Sequence, residues 1–412
     1  MRIQLTALNE INCYNEIDLP LSKSQSNRAL IIHYLTESQT ELPPLSEAQD
    51  TQLLKGALLD LNKLIDVHHA GTAFRFLTAL LCIVDGKRIL TGSFRLQQRP
   101  IGPLVEILRS LGSKIEYIEK EAYPPLLIEG NSNLHGGNIS IDSSISSQFI
   151  SALMMIGPKL KNGLTIHLLG KTVSSPYINL TAQMMKKSGA SVNLQDKLIT
   201  ISPISYKQNK FHIESDYAAA SYWYSLLVFL PEGTEIFMQG LGKDSFQADK
   251  NVIEIYAELG IKSDFVNDRL LISKIKNFVP NNNLKFDMND SPDLAQTLVC
   301  TCAGLGINLQ LTGLSTLKLK ESDRRLALKT ELIKFGIFVD LNVEDSLMLR
   351  GKFIKNKDAI INTYNDHRMA MSFAPLMICN SGIKIDDSQV VEKSYPNFWK
   401  EMQKFASIIE FE

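Results

Sequence analysis

Several short segments of the chain place Lys or Arg beside hydroxyl side chains just ahead of an apolar stretch. Residues 22–28 read Ser-Lys-Ser-Gln-Ser-Asn-Arg and precede Ala-Leu-Ile-Ile, so Ser24 or Ser26 can cap a helix that begins there. A helix start offers unbonded backbone N–H groups and partial positive charge, and the added cations and hydroxyls suit a phosphate or carboxylate. The alternative interpretation is a capped surface helix with solvated cations.

Other segments share this composition. Residues 69–75 combine small residues with Arg75, and small residues let a backbone approach a ligand closely. Residues 143–149 are rich in Ser, and residues 320–325 mix acids and bases at a helix start. A packing turn, a Ser-rich cap and surface ion pairs are the respective alternatives. Taken together, at least five such segments favour a transferase or binder of a polyanionic metabolite over a site for one phosphate.

Composition excludes several other classes of protein. The 412 residues contain 43 Lys and Arg against 44 Asp and Glu, so bulk positive charge cannot drive nucleic-acid binding. The longest apolar runs are too short to span a bilayer, and the amino terminus lacks a secretory signal pattern. The five cysteines include no Cys-x-x-Cys pair, so we expect a reduced, cytoplasmic protein without a zinc site.

An internal repeat predicts the architecture. An amphipathic helix that ends at a glycine and runs into a strand occurs four times, with its glycine at Gly112, Gly189, Gly260 and Gly336. The last three copies add a short turn and a second strand. The spacing of about 71 to 77 residues exceeds that of the familiar solenoid repeats. The pattern therefore predicts an α/β or α+β fold built from one supersecondary unit used several times.

Seven segments in order resemble the 5-enolpyruvylshikimate-3-phosphate (EPSP) synthase family of enolpyruvyl transferases, over nearly the whole chain. They are Ser22–Arg28, Ala70–Arg75, Arg99–Gly102, Ser146–Phe149, Ser174–Tyr177, Lys320–Arg324 and Asp366–Ala370. The resemblance implies an enzyme that transfers the enolpyruvyl group of phosphoenolpyruvate to the 5-hydroxyl of shikimate 3-phosphate and releases phosphate. This is a step of the shikimate pathway, which leads to chorismate and the aromatic amino acids.

The resemblance also implies how the chain is organised. Two globular domains, each of three βαβαββ units arranged as an inside-out α/β barrel, would hold the substrates in the cleft between them. We expect residues 1–19 and 216–412 to form a discontinuous first domain and residues 20–215 to form the second. No metal or organic cofactor, nucleic acid or membrane is implied, and we expect a monomer.

Residue roles follow from the resemblance, motif by motif. The shikimate 3-phosphate ligands would be Lys23, Ser24, Arg28, Ser146, Ser147, Gln148, Ser174, Tyr177, Asp293 and Lys320. The phosphoenolpyruvate ligands would be Lys23, Gly71, Arg99, Gln148, Arg324, Arg368 and Lys393. Asp293 would accept the proton of the attacking hydroxyl, and Glu321, assisted by Lys23, would protonate the methylene carbon. Planar Arg side chains suit phosphoenolpyruvate because they bind phosphate and carboxylate groups bidentately.

The chain departs from the family where His68 and His69 replace the usual Gly-Asn before Gly71. The alternative function is enolpyruvyl transfer to UDP-N-acetylglucosamine by the sister enzyme. That enzyme usually carries a reactive Cys on a mobile loop, and no Cys lies in a comparable polar segment here. The segment Ser22–Arg28 also favours shikimate 3-phosphate as the acceptor.

Overall fold

The computed structural model describes residues 1–36, 41–170, 173–207, 211–267, 269–380 and 382–412. The chain separates into two compact units. The first unit comprises Met1–Leu21 and Glu214–Glu412, and the second unit comprises Ser22–Ile213. No helix within the described ranges has both the length and the apolar character needed to cross a membrane.

Strands and helices alternate along most of the chain. The strands are β1 (Arg2–Ala7), β2 (Tyr14–Ile17), β3 (Leu64–Asp66), β4 (Gly86–Thr91), β5 (Lys114–Tyr117), β6 (Leu126–Gly130), β7 (Gly137–Asp142), β8 (Leu164–Leu169), β9 (Val192–Gln195), β10 (Leu198–Ile201), β11 (Glu235–Gln239), β12 (Ile261–Val266), β13 (Arg269–Lys274), β14 (Asn283–Asp287), β15 (Asn308–Thr312), β16 (Ile337–Asp340), β17 (Leu347–Gly351), β18 (Ile360–Ile361), β19 (Ile383–Ile385) and β20 (Ala406–Phe411). The helices are α1 (Lys23–Leu35), α2 (Gln49–Leu59), α3 (Gly71–Cys82), α4 (Phe94–Gln97), α5 (Gly102–Ser110), α6 (Ser147–Ile156), α7 (Ser175–Lys187), α8 (Tyr217–Phe229), α9 (Val252–Ala257), α10 (Ala295–Leu305), α11 (Arg324–Leu332), α12 (His367–Phe373), α13 (Met377–Asn380) and α14 (Phe398–Met402).

The described strands form five four-stranded sheets of one topology. In the sheet β3-β4-β6-β5, the parallel strands β3 and β4 are joined by α3, and β5 and β6 add antiparallel strands. A parallel pair needs a crossover connection, which α3 supplies, and α5 precedes the closing hairpin. The predicted mixed α/β fold of repeated βαβαββ units is confirmed.

The predicted glycines end their helices as expected. Gly112, Gly189, Gly260 and Gly336 all have positive φ, between 74° and 98°. A residue with a Cβ adopts this left-handed conformation only at a cost, so glycine stops each helix and turns the chain into its strand. The strand β6, which pairs with β5 after the first of these glycines, was not expected. Its connection, residues 118–125, is longer than the short polar turns of the other copies.

The first unit holds three sheets, β12-β13-β11-β2, β14-β15-β17-β16 and β18-β19-β1-β20. The parallel strands β2 and β11 lie in one sheet although the whole second unit is inserted between them. The crossover helices α8, α10 and α12 pack on one another in the core. Trp223 on α8 is fully buried among Tyr395, Phe398 and Phe405.

The described part of the second unit holds two such sheets, β3-β4-β6-β5 and β7-β8-β10-β9. Their crossover helices α3 and α6 pack on each other and on α1. All three helices are buried along most of their length. In both units the central helices are therefore fixed by packing, and most of the segments singled out in the sequence lie at the start of one of these helices or of a neighbouring helix.

Candidate active site

Three predicted cations of the first unit surround the carboxylate of a fourth predicted site residue, Asp293. Asp293 precedes α10, and its Oδ1 accepts a hydrogen bond from Arg324 Nη1 at 2.9 Å and lies 3.5 Å from Lys320 Nζ. Its Oδ2 accepts from Arg368 Nη2 at 2.9 Å. The helix starts of α10, α11 and α12 thus bring three cations to one carboxylate. The sequence segments that supply them lie far apart in the chain.

These cations keep Asp293 ionised. Burial opposes ionisation, but the charges of Arg368, Lys320 and Arg324 outweigh it and hold the pKa of Asp293 well below its usual value. Burial likewise works against the charge of Arg324, but the nearby carboxylates raise its pKa above the ordinary arginine value. The charges of this cluster therefore neutralise one another.

Arg324 is the centre of the cluster. Its side chain is almost completely buried, with 2% exposed, so its charge requires compensation in the structure. Besides Asp293, it donates from Nε to Asp366 Oδ2 at 2.8 Å and from Nη2 to Glu321 Oε2 at 2.9 Å. Glu321, the predicted acid, is therefore in an ion pair with a predicted ligand of phosphoenolpyruvate.

Two residues that received no predicted role complete this cluster. Asp366 caps α12 by accepting from the backbone N of Arg368 at 3.0 Å, and it also accepts from Ser322 Oγ at 3.0 Å. Tyr222 on α8 accepts from Arg368 Nη1 at 3.2 Å. Burial raises the pKa of Tyr222 to about 12 against the opposing effect of Arg368, so Tyr222 acts as a neutral phenol that orients the guanidinium.

Lys393 also contacts the segment that carries this cluster. Its Nζ donates to the backbone O of Asn365 at 2.5 Å, in the turn just before Asp366. Lys393, the last predicted cation of the first unit, is thus hydrogen-bonded to the turn that contains Asp366, the N-cap of α12. The short segment 365–368 therefore contacts Lys393 at one end and carries Arg368 at the other.

In the second unit, Arg28 is buried without a carboxylate partner among the described residues. It donates from Nε to Thr181 Oγ1 at 2.7 Å, from Nη1 to Ser24 O at 2.8 Å, and from Nη2 to Ser151 Oγ at 3.2 Å and Tyr177 O at 3.4 Å. Burial lowers its pKa to about 10, so Arg28 remains charged at neutral pH. Four of the five N–H donors of a guanidinium are used, and one remains for an anion.

We therefore expect that Arg28→Lys removes most of the stabilisation that shikimate 3-phosphate gives the protein. A lysine cannot reach Thr181, Ser151 and Ser24 together, so the position of the cation is lost. Affinity should fall roughly tenfold or more, the effect of one hydrogen bond to a charged group. Thermal unfolding with and without shikimate 3-phosphate measures this as a smaller rise in Tm.

Arg109→Lys is the matched control, since Arg109 lies on the surface of the same unit and donates to the backbone O of Ile115. This variant should retain the full rise in Tm. An equal rise in Arg28→Lys and the wild-type protein would exclude Arg28 as a ligand.

Lys23 is held at the first residue of α1, whose cap is Ser22. Its Nζ lies 3.0 Å from Asp50 Oδ2, and His69 Nε2 lies 3.8 Å from Asp50 Oδ1. Asp50 is buried, so it fixes the ammonium group at the helix start. His69, which departs from the family pattern, contacts the predicted catalytic lysine through this shared carboxylate.

Gly71, Arg99 and Gln148 lie around the start of α3. A Cβ added to Gly71 would collide with the guanidinium of Arg99 and would lie 2.9 Å from Arg75 Nη1, so a larger residue there would displace the Arg99 guanidinium. Arg75 Nη1 donates to Gln148 Oε1 at 2.9 Å, and Gln148 Nε2 donates to Thr72 Oγ1 at 3.2 Å. Arg75 and Thr72 thereby orient the amide of a predicted ligand.

The remaining predicted residues mark the starts of two further helices. Ser146 caps α6 by accepting from the backbone N of Gln148 at 3.3 Å, and Ser147 begins that helix. Ser174 precedes α7 with a left-handed backbone, φ 54°, and Tyr177 lies in the first turn of α7. In the second unit, as in the first, the predicted ligands are side chains at helix N-termini, where partial positive charge favours anions.

The structure thus groups the predicted residues within each unit and adds several that the sequence did not identify. The additions are Asp50, Thr72, Arg75, Tyr222 and Asp366. Thr72, Arg75 and Asp366 lie inside quoted motifs, so their motif membership was an available signal, whereas Asp50 carried none. Among the described residues, no group of three or more His, Cys, Asp or Glu side chains could hold a metal ion.

Comparison with known proteins identifies the family of the chain. Residues 56–402 match the family model described as EPSP synthase (3-phosphoshikimate 1-carboxyvinyltransferase). The chain is 46% identical over 406 residues to the 3-phosphoshikimate 1-carboxyvinyltransferase of Bacteroides fragilis strain YCH46, covering 98% of each chain. It is 34% identical to the protein of that name from Methanospirillum hungatei, covering 93% of this chain and 94% of the other.

Solved structures agree on the fold. The EPSP synthase of Acinetobacter baumannii superposes with a TM-score of 0.78 at 19% identity, over 100% of both chains. The chain therefore has the same fold as this solved structure. On the family match and on these relatives, the chain belongs to the EPSP synthase family.

Proposed function

We propose that this chain transfers the enolpyruvyl group of phosphoenolpyruvate to the 5-hydroxyl of shikimate 3-phosphate, in the shikimate pathway. Family membership carries this proposal, because relatives with the name of that activity match almost the entire chain. The clusters at the helix starts support it, since both substrates are polyanions. Transfer to UDP-N-acetylglucosamine is not favoured, because the matched family and relatives are EPSP synthases.

Shikimate 3-phosphate is the substrate for which the second unit is suited. Arg28 has a charge with no carboxylate partner in the described chain, and Ser24 and Tyr177 lie beside it. Ser146, Ser147 and Ser174 add hydroxyl groups at other helix starts of that unit. We assign the 3-phosphate and the ring hydroxyls to these residues, with Lys320 and Asp293 contributing from the first unit.

Phosphoenolpyruvate needs cations for both its phosphate and its carboxylate. Arg324, Arg368 and Lys393 of the first unit are assigned to it, together with Lys23, Gly71, Arg99 and Gln148 of the second. Two Arg side chains at a fixed separation can each form a bidentate pair with one of the two anionic groups.

Substrate binding also explains how Asp293 becomes a base. In the unliganded protein Arg324 and Arg368 bind its two oxygens at 2.9 Å each. The anionic groups of phosphoenolpyruvate compete for the same guanidinium groups, so they weaken these ion pairs and increase the proton affinity of Asp293. The carboxylate can then accept the proton of the 5-hydroxyl as it attacks the enolpyruvyl carbon.

The same competition acts on Glu321. Arg324 binds Glu321 at 2.9 Å, and this pair favours the carboxylate form. When Arg324 turns to the substrate, Glu321 can hold a proton and deliver it to the methylene carbon, with Lys23 assisting. Phosphate then leaves the tetrahedral intermediate while its methyl group returns a proton to the Glu321 carboxylate, which forms the enol ether, and the cations stabilise the leaving phosphate.

Phosphate release tests this proposal. We expect release from phosphoenolpyruvate only when shikimate 3-phosphate is present, and none with UDP-N-acetylglucosamine as the acceptor. Release with the sugar nucleotide alone would overturn the assignment of the acceptor. No release with either acceptor would overturn the proposed activity.

Two further properties belong to this proposal. We infer a cytoplasmic enzyme, since the five cysteines are all free thiols. We also propose that the enzyme acts as a monomer. Size-exclusion chromatography with light scattering tests the latter, and a mass of two chains would contradict it.

A further inference from the structure

Glu331 is a fully buried carboxylate that lies outside the group of assigned ligands. It sits on α11 with 0% of its side chain exposed. Its oxygens accept from Lys334 Nζ at 2.6 Å, from Tyr364 Oη at 2.7 Å and from the backbone N of Asn362 at 3.0 Å. A buried carboxylate is retained only when it is fully bonded, and two of these partners, Tyr364 and Asn362, lie in one turn.

That turn, residues 362–366, has an unfavourable backbone. Tyr364 and Asn365 are consecutive residues with φ of 55° and 54°. Residues with a Cβ occupy this left-handed region at a cost in free energy, so tertiary contacts must hold them there. The hydrogen bond from Tyr364 Oη to Glu331 is such a contact, and burial together with this bond raises the pKa of Tyr364 to about 12, which keeps its proton in place.

The same turn positions two predicted ligands of phosphoenolpyruvate, Lys393 and Arg368. The backbone O of Asn365 accepts from Lys393 Nζ at 2.5 Å. Asp366, the next residue, caps α12 through the backbone N of Arg368 and accepts from Arg324 Nε at 2.8 Å. Arg324 and Glu331 are seven residues apart on α11, about two helical turns, so one helix holds the turn at both ends.

We propose that Glu331 and Tyr364 are positioning residues for the phosphoenolpyruvate side of the site, acting through the turn that carries Asn365 and Asp366. This inference rests on the proposed function for the identity of the ligand. Neither residue needs to touch substrate, since its effect is to fix where Lys393 and Arg368 stand. The predicted consequence is selective, because the shikimate 3-phosphate ligands of the second unit do not depend on this turn.

Tyr364→Phe is the test variant, since it removes one hydroxyl from a side chain that is 38% exposed and leaves the ring in place. We expect the KM for phosphoenolpyruvate to rise roughly fivefold or more, as for loss of a hydrogen bond to a charged group. The KM for shikimate 3-phosphate should stay within about twofold of the wild-type value, and cooperative unfolding should be retained. Glu331→Gln replaces an acceptor with a donor that faces other donors, so its effect on the same KM should be larger.

Tyr14→Phe is the matched control. Tyr14 lies on β2 in another sheet of the first unit, and it also bonds to a glutamate, Glu235. Both KM values should be unchanged in this variant. Hydrogen exchange provides a second readout that does not require turnover: the amides of residues 362–368 should exchange faster in Tyr364→Phe and Glu331→Gln, but not in Tyr14→Phe.

The outcomes separate this inference from the proposed function. An active wild-type enzyme with an unchanged KM for phosphoenolpyruvate in Tyr364→Phe would overturn the inference and leave the proposed function intact. Equal increases in both KM values would also overturn it, because they indicate a general structural role. If the wild-type protein releases no phosphate, the proposed function fails. The positioning role has its own test: unchanged hydrogen exchange of the amides of residues 362–368 in both Tyr364→Phe and Glu331→Gln would overturn it.

Discussion

Asp293→Asn is expected to lower kcat by roughly a thousandfold, within the range found for loss of a general base. The asparagine amide keeps the size of the side chain but cannot accept the proton of the 5-hydroxyl. The KM for phosphoenolpyruvate should stay the same or fall, because Arg324 and Arg368 lose a carboxylate that competes with the substrate. Steady-state kinetics with both substrates varied measures the two effects separately.

Asp264→Asn is the control for this variant, since Asp264 forms an exposed ion pair with Lys262 at 2.8 Å in the same unit. It should leave kcat and both KM values unchanged. A large increase in the KM for phosphoenolpyruvate in Asp293→Asn, with kcat retained, would mean that Asp293 serves to place the cations and does not act as the base.

Lys23→Ala should reduce turnover about a thousandfold, comparable with removal of a group that stabilises charge in the transition state. The variant should lose only a few degrees in Tm, because α1 retains its Ser22 cap and the helix remains packed in the core of the unit. Phosphate release and thermal unfolding of the same preparation measure both properties.

Lys114→Ala provides the comparison, because Lys114 pairs with Glu129 at 2.8 Å on the surface of the same unit. Its activity should equal that of the wild-type protein. Should Lys23→Ala unfold at a much lower temperature than Lys114→Ala, the lysine would be a structural residue and the loss of turnover would carry no mechanistic meaning.

The sequence predicts the repeated unit well because its signals are local. A helix that ends in glycine before a strand is defined within some fifteen residues, and all four predicted glycines have the left-handed backbone. The strand β6 escaped prediction because residues 118–125 separate it from β5 without a short polar turn. The candidate ligands could be proposed from the sequence for a similar reason, since most of their motifs lie at a helix start that neighbouring residues define.

The contacts that tune those ligands depend on packing between distant segments. Asp50 is 27 residues from Lys23, and Tyr222 is 146 residues from Arg368. No local pattern links such pairs, because they meet only when the central helices pack together. The cations that lower the pKa of Asp293 likewise come from distant segments of the chain. This low pKa could therefore not be predicted from the local sequence around Asp293.

The most direct test is the stoichiometry of a complete reaction with phosphoenolpyruvate and shikimate 3-phosphate, followed by mass spectrometry and phosphate analysis. The account predicts that each phosphate released is matched by one molecule of shikimate 3-phosphate converted to its 5-enolpyruvyl ether, and that Asp293→Asn and Lys23→Ala slow both in parallel. Phosphate released without formation of the ether would contradict it, because the cation clusters would then promote hydrolysis of phosphoenolpyruvate and not group transfer.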